Sequence, residues 1–179
     1  MRFALLVAAF AGLVLASPAR AEVAEASPSA ILIRAESEVS ASPDRAWRAL
    51  TNVGRWWSSA HTYSGDAANL RLESRAGGCW CERWGDGQVE HMRVVLVMER
   101  EGVRTLRLQG GLGPLQEMGA MGILTFTVTP REGGAKVTMI YRVSGDAALA
   151  LDHIAPAIDG VLMEQFSRLT RYADGGALR

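Results

Sequence analysis

The hydrophobic pattern changes its period once, late in the chain, and this change limits the fold more than any other feature. From about Leu70 to Val143 apolar and polar residues alternate with a period of two, which predicts a series of antiparallel strands. Apolar residues then recur at helical spacing from Ile154 to Tyr172, which predicts one long amphipathic helix. A β-meander followed by one helix predicts an α+β chain whose sheet buries one face against that helix.

Two short helices are predicted before the meander. Residues 31–41 alternate well enough for a first strand, and Ser42 and Pro43 then supply a helix N-cap and a favourable first helical residue. A second short helical piece is expected at Gly54–Trp57. No repeat or linker divides the sequence, so we expect a single domain over residues 31–179, preceded by a flexible lead-in over residues 22–30.

The first 21 residues have the layout of a secretory signal peptide. Arg2 gives a positive start, an apolar run extends from Phe3 to Ala16, and Ala19-Arg20-Ala21 fits the small-x-small cleavage pattern. The run is shorter than the roughly 20 residues that a membrane-spanning helix needs. We therefore expect cleavage after Ala21, no transmembrane segment in the mature chain, and a periplasmic or secreted location; the alternative is an uncleaved N-terminal anchor.

Composition argues against several classes of function. The 19 basic and 19 acidic residues balance and do not cluster, which argues against nucleic-acid binding. The two cysteines are too few for a disulfide scaffold and lack a zinc-finger spacing, and we expect neither a metal nor a cofactor. The glycine-rich stretch 109–122 holds no lysine and does not fit a phosphate loop. It is expected to be a flexible connection that could form a hydrophobic lid with Leu112, Leu115, Met118 and Met121.

Three segments together resemble a known superfamily. They are the opening VSASPDRAWRALTNVGRWW, the stretch GGCWCERWGDG before a hydrophobic strand, and the amphipathic last helix. With them the chain resembles the SRPBCC, or START-like, helix-grip superfamily, and most closely its polyketide cyclase/dehydrase-like and chaperone-ATPase-activator-like branches. The resemblance implies a curved antiparallel sheet wrapped around the C-terminal helix, with a deep apolar cavity between them. It implies little about function, because this fold hosts carriers, receptors, cyclases and hydrolases.

The predicted hairpin assigns side chains to the two faces of the sheet. If Asp86-Gly87 is a two-residue turn, Cys81 lies opposite Met92 and shares its face. The apolar density of this face indicates that it lies under the helix. The residues predicted to line the cavity are Trp57, Cys79, Cys81, Met92, Val94, Leu96, Leu108, Phe126, Met139, Tyr141, Ile158 and Leu162.

The two cysteines allow three interpretations. Buried free cysteine behaves as a small hydrophobe, so structural packing is expected first. A redox pair and a soft copper(I) site are the alternatives. A disulfide between residues i and i+2 of a regular strand is disfavoured, because their Cα atoms lie about 6.5–7 Å apart.

The same register places Glu82 opposite His91 on the outer face, together with Trp80 and Trp84. An exposed cross-strand charge pair is expected there, and a catalytic acid–base pair is the alternative. The polar loop that follows Trp57 could present His61 to the cavity mouth.

These features lead to one expected function and two alternatives. We expect an exported small-molecule-binding protein that holds a hydrophobic or amphipathic ligand, lipid-like or polyketide-like, between the sheet and the last helix. The first alternative is a cyclase, dehydratase or hydrolase that uses Tyr141, His61 or a cysteine in the same cavity. The second is an interaction module whose outer Trp80 and Trp84 face contacts another protein.

Overall fold

The computed structural model describes residues 21–178, which form an antiparallel sheet with a long C-terminal helix. Its strands lie in the order β1-β2-β8-β7-β6-β5-β4-β3. The elements are β1 (Ala21–Ser27), β2 (Ala30–Val39), α1 (Pro43–Thr51), β3 (Leu70–Leu72), β4 (Cys79–Trp84), β5 (Gly87–Arg100), β6 (Val103–Gly110), α2 (Pro114–Glu117), β7 (Met121–Arg131), β8 (Gly134–Ser144) and α3 (Leu151–Ala173). The curved sheet and α3 form the helix-grip fold expected from the sequence, and the signal-peptide prediction for residues 1–21 falls almost wholly outside the described residues.

Helix α1 begins where the sequence predicts. The Ser42 side chain accepts a hydrogen bond from the backbone N–H of Arg45 at 3.3 Å, and Pro43 occupies the first turn. Ala46 and Leu50 are buried, and Trp47 is partly buried against the core. The second helical piece is a 3-10 turn over Val53–Arg55. Within residues 21–178 no helix has both the length and the apolar character needed to cross a membrane.

The segment before residue 31 differs from the expectation of a flexible lead-in. Residues Ala21–Ser27 form β1, which pairs antiparallel with β2, including Val23 opposite Ile33. A composition-based expectation misses this strand because ordering here comes from pairing with β2, not from the segment's own hydrophobicity.

The buried face of the sheet forms the core with α3. Alternate residues of β6, β7 and β8 point to this face, as the period of two predicts. Phe126 and Met139 pack against Leu162 and Phe166 of α3. The completely buried side chains on this face include Leu106, Leu108, Leu124 and Tyr141.

The β4–β5 hairpin is shifted from its predicted register. Trp84 pairs with Gly87, so the turn is Gly85-Asp86 and not Asp86-Gly87. The Trp84 ring covers Gly87 so closely that a Cβ atom there would lie 2.2 Å from the ring, which explains why glycine is the paired residue. Moving the turn by one residue changes each cross-strand partner by two, so it does not by itself change which side chains share a face.

The change of faces comes from two irregularities in β5. Trp80 pairs with Met92 and Cys81 pairs with Glu90, which leaves His91 as an extra residue in β5. A second irregularity lies between Val94 and Leu96.

The two irregularities of β5 reverse several face assignments made from the sequence. Trp80 is buried at 2% exposure and faces inward, so the outer face that Trp80 and Trp84 were expected to share does not form. Cys79 and Cys81 lie on the opposite side of β4 from Trp80, not on the cavity side. Leu96 lies opposite the exposed Arg107, so its predicted inward orientation is also wrong.

Candidate functional site

A cavity of about 590 Å³ lies between α3, the inner face of the sheet and two loops. Its walls are mostly apolar, and α3 contributes one complete side. The lining residues are Trp57, His61, Thr62, Tyr63, Leu70, Trp80, His91, Leu112, Gly113, Pro114, Leu115, Glu117, Met118, Tyr141, Ile154, Ala157, Ile158, Val161 and Leu162.

The loop after Trp57 forms one rim of the cavity. The Trp57 indole N–H donates to the His61 carbonyl at 2.8 Å, which folds the loop back on itself. The backbone N–H of Ser58 donates to Gln165 Oε1 at 2.7 Å, and His61 Nε2 lies 3.1 Å from Glu164 Oε2. These contacts attach the loop to α3 and place His61 on the cavity wall, where the sequence suggested that it could lie.

The glycine-rich segment forms the other rim. Its short helix α2 begins at Pro114, and Leu112, Leu115 and Met118 face the cavity. The Tyr63 hydroxyl donates to the Gly113 carbonyl at 3.4 Å, which joins the two rims. Met121 is 48% exposed and does not line the cavity, so only part of the predicted apolar lid lies there.

Glu82 and His91 form a buried pair beside the cavity. Glu82 is fully buried, and its Oε2 lies 3.0 Å from His91 Nε2. The same carboxylate accepts the backbone N–H groups of Tyr63 at 3.1 Å and Ser64 at 2.5 Å. The pair therefore lies inside the protein, and the expectation of an exposed charge pair is wrong because the bulge turns His91 inward.

The surroundings of this pair fix its charge state. Burial alone would raise the pKa of the Glu82 carboxyl, but hydrogen bonds from Ser64, Tyr63 and His91 together hold it below its ordinary value. Burial lowers the pKa of His91, and the Glu82 carboxylate opposes that shift without cancelling it. Near neutral pH the pair is thus an ionised carboxylate hydrogen-bonded to a neutral imidazole.

Tyr141 is a second polar group on the wall. Burial raises the pKa of its phenol to about 12, so the group remains protonated at physiological pH. The backbone N–H of Leu112 donates to its hydroxyl oxygen at 3.3 Å. A Cβ atom at Gly122 would lie 2.5 Å from this oxygen, so glycine leaves the space that the phenol occupies.

Aromatic rings cover the wall next to the pair. Trp57 and Trp80 contact edge to face with their centroids 5.0 Å apart, and Tyr63 lies 5.8 Å from the His91 ring. Trp80 Nε1 is buried and has no hydrogen-bond partner within residues 21–178.

The residues predicted to line the cavity fall into three groups. Trp57, Tyr141, Ile158 and Leu162 are on its wall. Met92, Val94, Leu108, Phe126 and Met139 are buried in the core beside it but do not line it. Cys79, Cys81 and Leu96 lie on the other face of the sheet.

The two cysteines form a disulfide on that outer face. Their Cα atoms are 5.4 Å apart, closer than in a regular strand, at the point where the register shifts. The expectation of two free, inward-packed cysteines is therefore wrong. Glu90 lies across the strand from Cys81 and forms an ion pair with Arg93 at 2.5 Å.

The outer face predicted for Glu82, His91 and Trp80 is wrong, because all three lie on the inner side of the hairpin. The available signal was the coincidence of an acid, a histidine and a tryptophan in one hairpin. Reading it as an internal cluster required the bulge at His91, which has no distinct sequence signature.

A curved sheet that encloses an apolar cavity against a long C-terminal helix defines a helix-grip protein. The sequence profile of the family described as "Polyketide cyclase / dehydrase and lipid transport" matches residues 30–174. The chain belongs to this family, which is of the SRPBCC type. A search of curated proteins found no match.

Solved structures show the same fold at low sequence identity. An uncharacterised protein from Rhizobium leguminosarum aligns with a TM-score of 0.55 and 15% identity, covering 89% of this chain and 99% of that one. A protein from Mesorhizobium loti aligns with a TM-score of 0.54 and 17% identity, covering 82% of this chain and 99% of that one. Truncated norcoclaurine synthase from Thalictrum flavum aligns with a TM-score of 0.52 and 16% identity, covering 83% of this chain and 96% of that one. At these identities the similarity concerns the fold.

Proposed function

We propose that this protein is an exported carrier or sensor that binds a hydrophobic or amphipathic small molecule in the cavity between the sheet and α3. The observation that carries the proposal is the cavity itself, about 590 Å³ with mostly apolar walls. Ligand sites typically measure about 300–1,000 Å³ and combine apolar walls with a few polar groups. The family description, which includes lipid transport, supports the same class of ligand.

The arrangement of the rims supports reversible binding. Two loops border the cavity, and within residues 21–178 the 3.4 Å hydrogen bond from Tyr63 to Gly113 is the direct one that joins them. Opening this border would expose the cavity without unfolding the sheet or α3. A carrier needs such a border, because its ligand has to enter and leave.

The export part of the proposal rests on residues 1–21, whose charge and hydropathy pattern is that of a signal peptide. Cleavage after Ala21 would retain β1 except for its first residue. The mature protein would then keep the strand pairs from Glu22 opposite Arg34 onward.

Native mass spectrometry of the full chain, expressed with residues 1–21 and recovered from the periplasm, tests both parts. We expect a polypeptide mass that lacks residues 1–21 and a co-purifying molecule of a few hundred daltons. Ala157 lines the cavity at an exposed position of α3, so Ala157→Trp would obstruct the cavity with an indole ring and remove that molecule. The same change at Ala148, which is exposed and outside the cavity, is the matched control and should leave it bound.

Uptake of N-phenyl-1-naphthylamine, a neutral apolar fluorophore, gives the affinity. Ala157→Trp should weaken its binding at least tenfold. A wild-type protein with neither a co-purifying molecule nor fluorophore uptake would contradict the binding proposal. Retention of residues 1–21 in the recovered protein would contradict the proposed cleavage.

A second candidate function is that of a cyclase or dehydratase using the same cavity. The observation that favours it is the buried Glu82–His91 pair, since a neutral imidazole oriented by a carboxylate is a common general base. Its test is turnover of the co-purified molecule. Conversion to a new product by wild type, lost in His91→Phe while the molecule still binds, would establish catalysis.

A further inference from the structure

The hydrogen bonds of Glu82 determine which nitrogen of His91 carries the proton. An ionised carboxylate can only accept hydrogen bonds, so the Nε2 atom that lies 3.0 Å from Glu82 must be the donor. In a neutral imidazole the other nitrogen, Nδ1, then has a free lone pair. The structure thus holds His91 as an acceptor at Nδ1.

This acceptor faces a space without a protein partner. Within residues 21–178 Nδ1 makes no hydrogen bond. It is also not one of the completely buried polar atoms that lack a partner, which are Trp80 Nε1, Asp159 Oδ1 and Gln165 Nε2. The His91 side chain keeps 9% of its surface exposed, and His91 lines the cavity. With Nε2 paired to Glu82, Nδ1 is the ring nitrogen that remains for a group bound in the cavity.

The charges around the cavity do not favour an anionic group there. No lysine or arginine is among the cavity-lining residues of the described chain. The carboxylates near the site are Glu82, which is buried behind His91, Glu117 at the rim, and Glu164 paired with His61. Tyr141 is a neutral donor and offers no positive charge. A carboxylate or phosphate would lose its hydration without a counter-ion.

An ammonium group is disfavoured for a different reason. The Glu82 carboxylate already accepts hydrogen bonds from His91, Tyr63 and Ser64, and burial removes it completely from solvent. A cation at Nδ1 would therefore be separated from this charge by the imidazole ring, in apolar surroundings. A neutral hydroxyl needs no counter-ion and supplies the hydrogen that Nδ1 lacks.

We propose that His91 Nδ1, held as an acceptor by Glu82, is the recognition point of the cavity for the neutral hydroxyl group of an apolar ligand. This inference rests on the proposed ligand-binding function and narrows it to alcohols and phenols. The Glu82 carboxylate acts as a positioning group for the imidazole.

The test compares four probes that share one ten-carbon chain: decan-1-ol, 1-methoxydecane, decanoate and decylammonium. Binding to the wild-type protein is measured by titration calorimetry at pH 7.5. Decan-1-ol should bind about tenfold more tightly than the ether, which lacks the donor, because one net neutral hydrogen bond corresponds to roughly that factor. Both charged probes should bind more weakly than the alcohol.

Two variants separate recognition from general packing. His91→Phe should reduce the affinity for decan-1-ol to that of the ether and leave the ether's affinity unchanged. His153→Phe makes the same change at an exposed position outside the cavity and should keep the wild-type preference. In Glu82→Gln the amide group could donate to Nε2 and place the imidazole proton on Nδ1, so the preference for alcohol over ether should disappear or reverse.

The affinities of the four probes for the wild-type protein are enough to test whether the cavity recognises a neutral hydroxyl group. Equal affinity for alcohol and ether, or tighter binding of decanoate or decylammonium, would overturn it while leaving the ligand-binding function intact. Failure to bind any of the four probes would count against the ligand-binding function as well. An unchanged alcohol preference in folded His91→Phe would show that another group recognises the hydroxyl.

Discussion

At the scale of single residues, the most informative group is a carboxylate that the sequence placed on the surface. Glu82 is fully buried, yet it remains ionised because three hydrogen bonds replace its lost water. Two of them come from backbone N–H groups of the loop at the cavity rim, so Glu82 both anchors this loop and orients His91. A change at this residue should therefore affect stability and ligand recognition together.

The Glu82–His91 pair predicts that the folded protein loses stability as the pH falls. The pKa of His91 is lower in the folded protein than its ordinary value, so between these two pKa values the unfolded chain binds the additional proton. Stability from this residue is present above about pH 6.5 and is lost as the pH falls below it. Below about pH 4.5 protonation of Glu82, whose pKa is lowered in the folded protein, reduces the free energy of unfolding further.

Urea unfolding followed by tryptophan fluorescence at pH 7.5, 6.5 and 5.5 measures this effect. The free energy of unfolding should fall more steeply toward pH 5.5 in wild type than in His91→Phe. His153→Phe alters an exposed histidine and should follow wild type. Parallel curves for wild type and His91→Phe would mean that His91 binds its proton equally in both states.

At the scale of elements, the hairpin shows where sequence reasoning succeeds and where it stops. The start of α1 was predictable because the Ser42-Pro43 signal is local and acts through one hydrogen bond. The existence of the β4–β5 hairpin was also predictable from alternation and a Gly/Asp-rich turn. Its register was not, since Gly85-Asp86 and Asp86-Gly87 are both plausible turns and only the packing of Trp84 on Gly87 distinguishes them.

The bulge at His91 illustrates the same limit. An extra residue in one strand depends on contacts across the sheet, and a single sequence does not reveal it. Because side-chain direction alternates, one bulge was enough to place Trp80, Glu82 and His91 on the inner side of the hairpin. Cys79 and Cys81 lie on the outer face for the same reason.

The Cys79–Cys81 disulfide on the outer face of the sheet is expected to stabilise the folded protein without affecting the cavity. Closing a loop of three residues corresponds to about 1–2 kcal/mol of denatured-state entropy. Replacing both Cys79 and Cys81 by serine should lower the free energy of unfolding by about that amount and leave decan-1-ol binding unchanged.

Thiol alkylation with mass spectrometry provides the check. Untreated wild-type protein, unfolded in urea, should incorporate no alkylating reagent, and reduced protein should incorporate two. Wild type under reducing conditions should then unfold at the same urea concentration as the double serine variant. Alkylation of unreduced protein would contradict the disulfide.

At the scale of the whole molecule, the fold separates a rigid frame from an adjustable border. The sheet and α3 share a continuous buried core, whereas the cavity is bordered by a loop and by the short segment around α2. Most of the frame was predictable from the period change, because strand and helix periodicity indicate which faces are buried, whereas β1 and the face of β4 were not. The shape of the cavity depends on tertiary contacts such as Ser58 with Gln165, which residue patterns do not indicate.

This division predicts how a ligand affects stability. A molecule that binds the folded cavity and not the unfolded chain stabilises the protein by about 2.7 kcal/mol at a hundred times its Kd. For a domain of this size that corresponds to a rise in Tm of roughly 5–11 °C. Differential scanning calorimetry with decan-1-ol should show this rise in wild type and in Ala148→Trp, whereas Ala157→Trp, with its cavity obstructed, should show almost none. An equal rise in Ala157→Trp would place the bound alcohol outside the cavity and would require a different binding site on the molecule.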